Sequence, residues 1–447
     1  MASNFSKKLS TKSLFIGLIC ALFLIPVFFI SRMVADRQNR NAEAVKEVAD
    51  KWGQKQYIGG PYISQGVESE NGLSIRQAHF LPSQLSIIAK VKTENRKRGI
   101  YMVPLYKTEV LIKGRFDSSL LAKLNIDSRN LREKANLNLH ISDLKGLSSQ
   151  VSLKIDNKVY EFSSGLSNRY LFDEGIHCSE FFGMLEGKPF EISFTLNGSQ
   201  TLGFVPLGKN NDFKMSGDWG NPSFSGGFLP QSRMVKADSF HAQWNILDLN
   251  RPFAQQGWDN FVNFKQAETT DYRGVVEVVE PNYCNVKFFD PVTGYVMALR
   301  ANNYAFFLLL IVFVALFLAE YLTGENIHIV QYVVIGAAIT LFYLILLSFS
   351  EHLGFNKAYL VGSAMVILPL YIYIRAIINS KVSLLISIMS TFLFGMFFVM
   401  LISQDYSLVI GTLVAFGVLL GVMFVTKNFG KIKPITEIVN EESTRID

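Results

Sequence analysis

The sequence predicts a membrane protein with six helical spans and a large, sandwich-like, β-rich extracytoplasmic domain between the first and second spans. Two observations lead to this fold class. Six long segments carry almost no charge, and each is close to the roughly 20 residues that cross a bilayer. Between the first two of them, short runs of residues alternate between apolar and polar, which is the period of half-buried strands.

The composition agrees with a membrane protein that also carries a sizeable polar domain. Of the 447 residues, 49% are hydrophobic and 18% are charged, against about 25% charged in an average soluble domain. The formal net charge is +6. Lys and Arg gather at the ends of the apolar segments, as topology determinants do, so binding to nucleic acid is not predicted.

The first span is predicted at residues 14–33, after an N-terminal segment of residues 1–13. Its apolar part, LFIGLICALFLIPVFFI, contains no charge. A cleaved signal peptide is the alternative, since a basic stretch precedes an apolar one. The apolar part is longer than a typical signal core and no Ala-x-Ala-like site follows it, so an uncleaved anchor is favoured. Pro26 is tolerated in a membrane helix and can kink it.

Five further spans form a predicted bundle over residues 301–426. Their predicted bounds are 304–321, 330–349, 358–374, 382–402 and 408–425. The breaks between them are short, and short connections join antiparallel neighbours in a compact bundle.

The basic residues predict the orientation of these spans. Three lysines precede the first span and three follow the last. Because basic residues favour the cytoplasmic side, the N-terminus and the tail 427–447 are both predicted to be cytoplasmic. An even number of crossings, six, satisfies both ends, and residues 34–300 then lie outside the cytoplasm.

The segment 34–300 is predicted to be mostly β, after a helical stem that ends near Gly53. Three alternating runs predict half-buried strands at 106–112, 137–141 and 190–196. Turn signals such as Gly-Gly-Pro and Asn-Gly recur between the runs, and many short strands with regular turns favour a sandwich. Short helices are predicted near 118–124 and 181–186.

Large aromatic side chains and glycine or proline turns make residues 202–258 the most distinctive stretch. The candidate binding residues within it are Trp219, Phe224, Phe228 and Trp244. One interpretation makes them an aromatic platform for a glycan or lipid. The other interpretation, an aromatic core with tight turns, is favoured because burial is the commoner use of such side chains.

Ionisable residues near the spans form the second group of candidates, because charge in a bilayer is costly and often functional. Glu351 and His352, at the outer end of the third span, are the pair of most interest. They lie at a helix end, where water and headgroups can solvate them, so a structural role is favoured.

No motif in the sequence indicates an enzyme or a cofactor site. It contains no GxSxG elbow, P-loop, HExxH or CxxC. We therefore predict no catalytic residue, no metal ligand and no cofactor. Cys178 and Cys284 both fall in the outer domain and could pair in an oxidising compartment, but the cysteines form no disulfide framework and a bond between them is the less favoured alternative.

Ordered motifs along most of the chain resemble one family of bacterial membrane proteins. They are GGPYI at 59–63, RGIY at 98–101, SDLKG at 142–146, PSFxG at 222–226, FLP at 228–230, FxAxW at 240–244 and FYLxLLS at 342–348 followed by Glu351-His352. On these motifs the chain resembles the CreD family of inner-membrane proteins.

The resemblance implies a location in the bacterial inner membrane, with the β-rich domain in the periplasm. It also implies a part in cell envelope integrity, colicin tolerance and stress response, without a known reaction. We therefore expect a non-enzymatic protein whose outer domain binds an envelope protein, peptidoglycan or lipid. A transporter or lipid-handling protein that uses the bundle is the alternative.

Overall fold

The chain forms two compact units in the computed structural model. The β-rich unit is Ala42–Pro291, and the helical unit combines Met1–Asn41 with Val292–Asp447. The residues that the structure describes are 2–68, 74–180, 185–264, 267–270, 276–279, 283–288, 294–323, 326–377, 380–403 and 406–427.

The helices in the described residues are α1 Ala2–Leu22, α2 Leu24–Trp52, α3 Leu120–Lys123, α4 Gly294–Asn303, α5 Ala305–Thr323, α6 Ile329–Leu353, α7 Phe355–Ile377, α8 Ser380–Ile402 and α9 Ser407–Thr426. The strands are β1 Gln56–Glu68, β2 Ile75–Phe80, β3 Gln84–Arg98, β4 Tyr101–Arg115, β5 Leu131–Ile141, β6 Ser152–Ile155, β7 Lys158–Glu161, β8 Ser163–Ser164, β9 Ile176–Glu180, β10 Pro189–Ser199, β11 Thr201–Val205, β12 Asn210–Gly217, β13 Ser223–Gly226, β14 Ser232–Val235, β15 Phe240–Leu247, β16 Gln256–Trp258, β17 Ala267–Thr270, β18 Val276–Val279 and β19 Cys284–Lys287.

Two large sheets make up the β-rich unit. The first sheet has the order β13-β19-β11-β1-β5-β9-β8, with β2 also paired to β1 and β16 paired to β2. The second has the order β14-β15-β12-β3-β4-β10-β6-β7, and β17 pairs with β18 separately. The three alternating runs lie in β4, β5 and β10, and the helix predicted near 118–124 is α3. Most of the helix predicted at 181–186 lies outside the described residues.

Apolar side chains from both sheets form one core between them. In β10, Phe190, Ile192, Phe194 and Leu196 are buried, while the residues between them are more exposed, so one face of the strand lines the core. Tyr106 of β4 reaches across to the first sheet, where its hydroxyl donates to the carbonyl of Thr201 at 2.6 Å. The β-rich unit is therefore a sandwich, as predicted.

The anchor helix is longer than the predicted span 14–33. A turn at Phe23 separates α1 from α2, three residues before Pro26, whose missing N–H leaves one helical bond unmade. Strong helix formers then carry α2 to Trp52. Gly53 ends the helix at φ +146°, and a Cβ there would meet the Asn197 carbonyl oxygen at 2.5 Å. The predicted stem is thus continuous with the anchor.

Five helices in the described residues are long and apolar enough to cross a membrane: the anchor, α6, α7, α8 and α9. Helices α4 and α5 pass the same test only together and are bent by 43° at their junction. They supply a sixth candidate if the bent pair is one span. Residues 294–300 were predicted within the β-rich segment 34–300, but they belong to α4 of the helical unit, where the Tyr295 hydroxyl donates to Glu351. The β-rich unit is correspondingly shorter at both ends.

Candidate functional site

Trp244, the central residue of the aromatic stretch, is part of the sandwich core. It is 1% exposed, and its indole N–H donates to the Phe228 carbonyl at 3.1 Å. Its ring centroid lies 6.0 Å from that of Phe224, which also contacts Phe240 edge-to-face. These contacts join β13 of the first sheet to β15 of the second.

The other aromatic candidates pack against this core from its margin. Trp219, Phe224 and Phe228 are half-buried and contact the buried cluster. The Trp219 indole N–H is satisfied locally by the Asn221 carbonyl at 3.0 Å. The four candidates therefore belong to the core or pack against it, and they do not stand together as an exposed platform.

Cys178 and Cys284 are free and buried. They lie in β9 and β19, which are four strand positions apart in the first sheet. At about 4.8 Å per strand this separation is roughly 19 Å, beyond the reach of a disulfide. Burial raises the pKa of the Cys178 thiol to about 11 and raises that of Cys284 further. Within the described ranges, no group of three His, Cys, Asp or Glu residues could hold a metal ion.

A buried polar layer on the outer face of the first sheet was missed by the sequence analysis. Ser64 of β1 lies opposite His79 of β2, and its Oγ is 2.9 Å from the His79 Nδ1. The Asn138 side chain of β5 donates to the same Oγ at 3.0 Å. The side-chain oxygen Oδ1 of Asn138 accepts from the N–H and hydroxyl of Ser167, each at 2.9 Å.

Two loop segments, 165–175 and 259–264, place aromatic rings over this layer. Phe172 stacks on His140 with ring centroids 4.4 Å apart. Gly59 permits this approach, because a Cβ there would lie 2.5 Å from the Phe172 ring. We call these two segments the aromatic cover.

Three polar atoms beneath the aromatic cover have no hydrogen-bond partner: the Tyr62 hydroxyl and the Nε2 atoms of His79 and His140. Burial lowers the pKa of both histidines to about 4, opposed by nearby Asp259 for His79 and by the Glu174 carbonyl and Asp173 for His140. Both imidazoles are therefore neutral near pH 7. Ser64 and His79 form a hydrogen-bonded pair, and both side chains are fully buried.

The candidates Glu351 and His352 are consecutive residues of α6, but their side chains have different surroundings. The Glu351 side chain is 9% exposed, accepts from the Tyr295 hydroxyl at 3.1 Å, and lies 3.7 Å from the Arg37 guanidinium. His352 is exposed. Only Glu351 therefore belongs to a cluster, and its cation comes from the anchor helix.

A matching cluster lies at the other end of the helical unit. Lys12 forms an ion pair with Glu320 and donates to the Asn326 side-chain carbonyl at 3.0 Å. The Tyr332 hydroxyl donates to the second carboxylate oxygen of Glu320 at 3.1 Å. Each carboxylate thus has one cation from the anchor and one tyrosine. The sequence showed the carboxylates at helix ends, but it gave no signal that identified these partners.

The family model described as "Inner membrane protein CreD" matches residues 8–430. The chain belongs to the CreD family. Inner membrane protein CreD of Escherichia coli (strain K12) is 28% identical over 452 residues, which cover 95% of this chain and 96% of that protein. Membership of the CreD family makes this a protein of the inner membrane, in agreement with its apolar helices.

Two solved structures of the M1 zinc metallopeptidase from Deinococcus radiodurans show only weak similarity to part of this CreD-family chain. The first covers 37% of this chain and 38% of its own at 6% identity, with a TM-score of 0.20. The second, a mutant of that peptidase bound to a tripeptide substrate, covers 37% and 39% at 5% identity, with a TM-score of 0.19. Scores this low carry no argument about fold or activity.

Proposed function

We propose that this CreD-family protein is non-enzymatic and supports cell envelope integrity and the response to envelope stress by binding a protein of the envelope. The binding surface is the edge of the second sheet at β14. The observation that carries this proposal is an exposed, partly apolar edge strand.

All four residues of β14 are exposed, and the strand ends the second sheet. Met234 is 61% exposed, and Leu229, just before the strand, is 69% exposed. Proteins usually protect such an edge because its free N–H and C=O groups can pair with another chain. Addition of a strand to an open edge is a common mode of peptide recognition.

The opposite edge of the same sheet, β7, provides a contrast. Lys158 and Glu161 stand at the two ends of β7, whereas β14 carries one charged residue, Arg233, and charged side chains discourage pairing with another strand. Val159 is exposed there, as Met234 is on β14. A partner that adds a strand is therefore expected at β14 rather than β7.

The proposed topology has six crossings, both termini in the cytoplasm and the β-rich unit in the periplasm. Counting the bent pair α4–α5 as one span supports the number six. The anchor lysine Lys12 pairs with Glu320 near the end of α5, and the anchor arginine Arg37 pairs with Glu351 at the end of α6. Since α5 and α6 are consecutive spans, these contacts agree with an anchor that crosses between the two ends.

Site-specific photo-crosslinking in intact cells tests the proposal. A photoreactive residue at Met234 should give a discrete adduct with an envelope protein, while one at Val159 should give none. Met234→Glu with Val235→Glu should abolish the adduct and lower colicin tolerance, and Val159→Glu should leave both unchanged. Equal crosslinking from both edges, or full tolerance in the β14 variant, would contradict the proposal, as would turnover of a cell-wall substrate by the purified protein.

A transporter is the second candidate, favoured by the two half-buried ion pairs at opposite ends of the helical unit. Replacing Glu351 and His352 by alanine should then abolish a flux phenotype. Unchanged envelope tolerance and unchanged flux in that double variant would contradict a role in transport for Glu351 and His352.

A further inference from the structure

Helices α5, α8 and α9 line a groove within the helical unit. Its volume is about 700 Å³. A second cavity of about 240 Å³ continues it and shares Ile311, Met396 and Val414 with it. The two cavities are adjacent along the membrane-spanning helices, and together we call them the α9 groove.

The groove exists because α9 packs loosely. None of its residues between Ser407 and Phe424 is buried. Gly417 and Gly421 are spaced four residues apart, a pattern that usually lets membrane helices approach closely. Here both glycines line the groove, and a Cβ at either would meet nothing within 4 Å. Because glycine has no side chain, Gly417 and Gly421 widen the groove here instead of allowing two helices to pack closely.

The dimensions of the main cavity match one leaflet of a bilayer. Along α9 its lining runs from Leu413 to Val422, a rise of about 14 Å at 1.5 Å per residue. Half of a hydrocarbon core about 30 Å thick is roughly 15 Å. Its lining is wholly aliphatic, aromatic, glycine and methionine, which suits a hydrocarbon chain.

Two lysines mark one end of the α9 groove. Helices α8 and α9 are joined by a short connection, so the start of α8 and the end of α9 lie on the same side. Lys381 is in the first turn of α8, four residues before the lining residue Leu385. Lys427 follows α9, five residues and about 8 Å beyond Val422. Basic residues at the end of a membrane-spanning helix can pair with the phosphate of an anionic lipid.

We propose that the α9 groove binds one acyl chain of an anionic phospholipid, whose phosphate is held by Lys381 and Lys427. The bilayer supplies this occupant, and the charge at the groove's end selects its headgroup. The site is independent of the edge strand β14, so the two proposals succeed or fail separately.

Native mass spectrometry of the full-length protein, delipidated in mild detergent and then offered phosphatidylglycerol or phosphatidylcholine, tests the site. We expect one phosphatidylglycerol retained per chain. Gly417→Leu and Gly421→Leu fill the groove and should each lower retention about tenfold. Gly395→Leu is the matched control, because Gly395 also has open space at its Cβ but does not line the groove.

The headgroup is tested separately. Lys381→Ala with Lys427→Ala should remove the preference for phosphatidylglycerol over phosphatidylcholine while the acyl chain is still retained. Equal retention by Gly421→Leu and Gly395→Leu would overturn the site, because lipid would then bind the helices generally. A dimer that dissociates in Gly417→Leu, without any retained lipid, would overturn it in favour of a second copy as the occupant.

Discussion

The outer faces of the two sheets of the sandwich differ, because one is buried and the other is exposed to solvent. The first sheet buries its outer face under the aromatic cover, and neutral polar groups such as Ser64, His79 and Asn138 lie there. The second sheet leaves charged residues such as Lys90 and Glu109 exposed on its outer face. Polar residues on the outer face of the first sheet are therefore buried within the fold, while those on the outer face of the second sheet are exposed to solvent.

The largest expected effect is acid sensitivity of the first sheet. The folded pKa of His79 and His140, about 4, lies below the ordinary value of 6.5. As the pH falls from 6.5 towards 4, the unfolded chain takes up protons on these histidines before the folded chain does. The free energy of unfolding therefore decreases over this range and is not affected by protonation of these histidines above pH 6.5. Each shift corresponds to up to about 3 kcal/mol. Hydrogen exchange of the full-length protein, corrected for the intrinsic rate at each pH, should show loss of protection in β1, β2 and β5.

The control for this experiment is the exposed His241 of the second sheet. His140→Gln should flatten the pH dependence, and His241→Gln should leave it unchanged. A pH profile that is the same in all three proteins would show that the buried histidines do not set the acid sensitivity.

A single polar substitution should separate the two outer faces. Asn138→Ala removes the donor to the buried Ser64 hydroxyl and the acceptor for the N–H and hydroxyl of Ser167. The expected loss is about 2 kcal/mol. Ser193→Ala, on the exposed face of the second sheet, should cost under about 0.5 kcal/mol. Thermal unfolding of the purified protein measures both, and equal losses would remove the distinction between the faces.

A smaller effect than that of Asn138→Ala is expected for the ion pair between Lys113 and Glu191 on the second sheet. Their charged atoms are 2.8 Å apart, but both side chains are about half exposed, at 53% and 42%. Solvent screens such pairs, so Glu191→Gln should change stability by no more than about 1 kcal/mol. A larger loss at low salt that persists at high salt would mean that this face is less solvated than its exposure indicates.

The sequence predicted the strands at 106–112, 137–141 and 190–196 because apolar and polar residues alternate along each of them, and this pattern is visible in consecutive residues. It did not predict the polar layer under the aromatic cover. Ser64, His79 and Asn138 come from three strands, and only the register of β1 with β2 and β5 brings them together. Their polar character gave the opposite signal, since such residues usually face water.

The sequence by itself determined the family, the apolar helices and the sandwich, because hydropathy and alternation depend on neighbouring residues alone. Tertiary structure decided which carboxylate each anchor cation meets, where Trp244 is buried, and that α9 leaves a groove beside Gly417 and Gly421. Those features depend on contacts between segments far apart in the chain. The free energy of such contacts is set by burial and pairing geometry, which no local pattern of residues encodes.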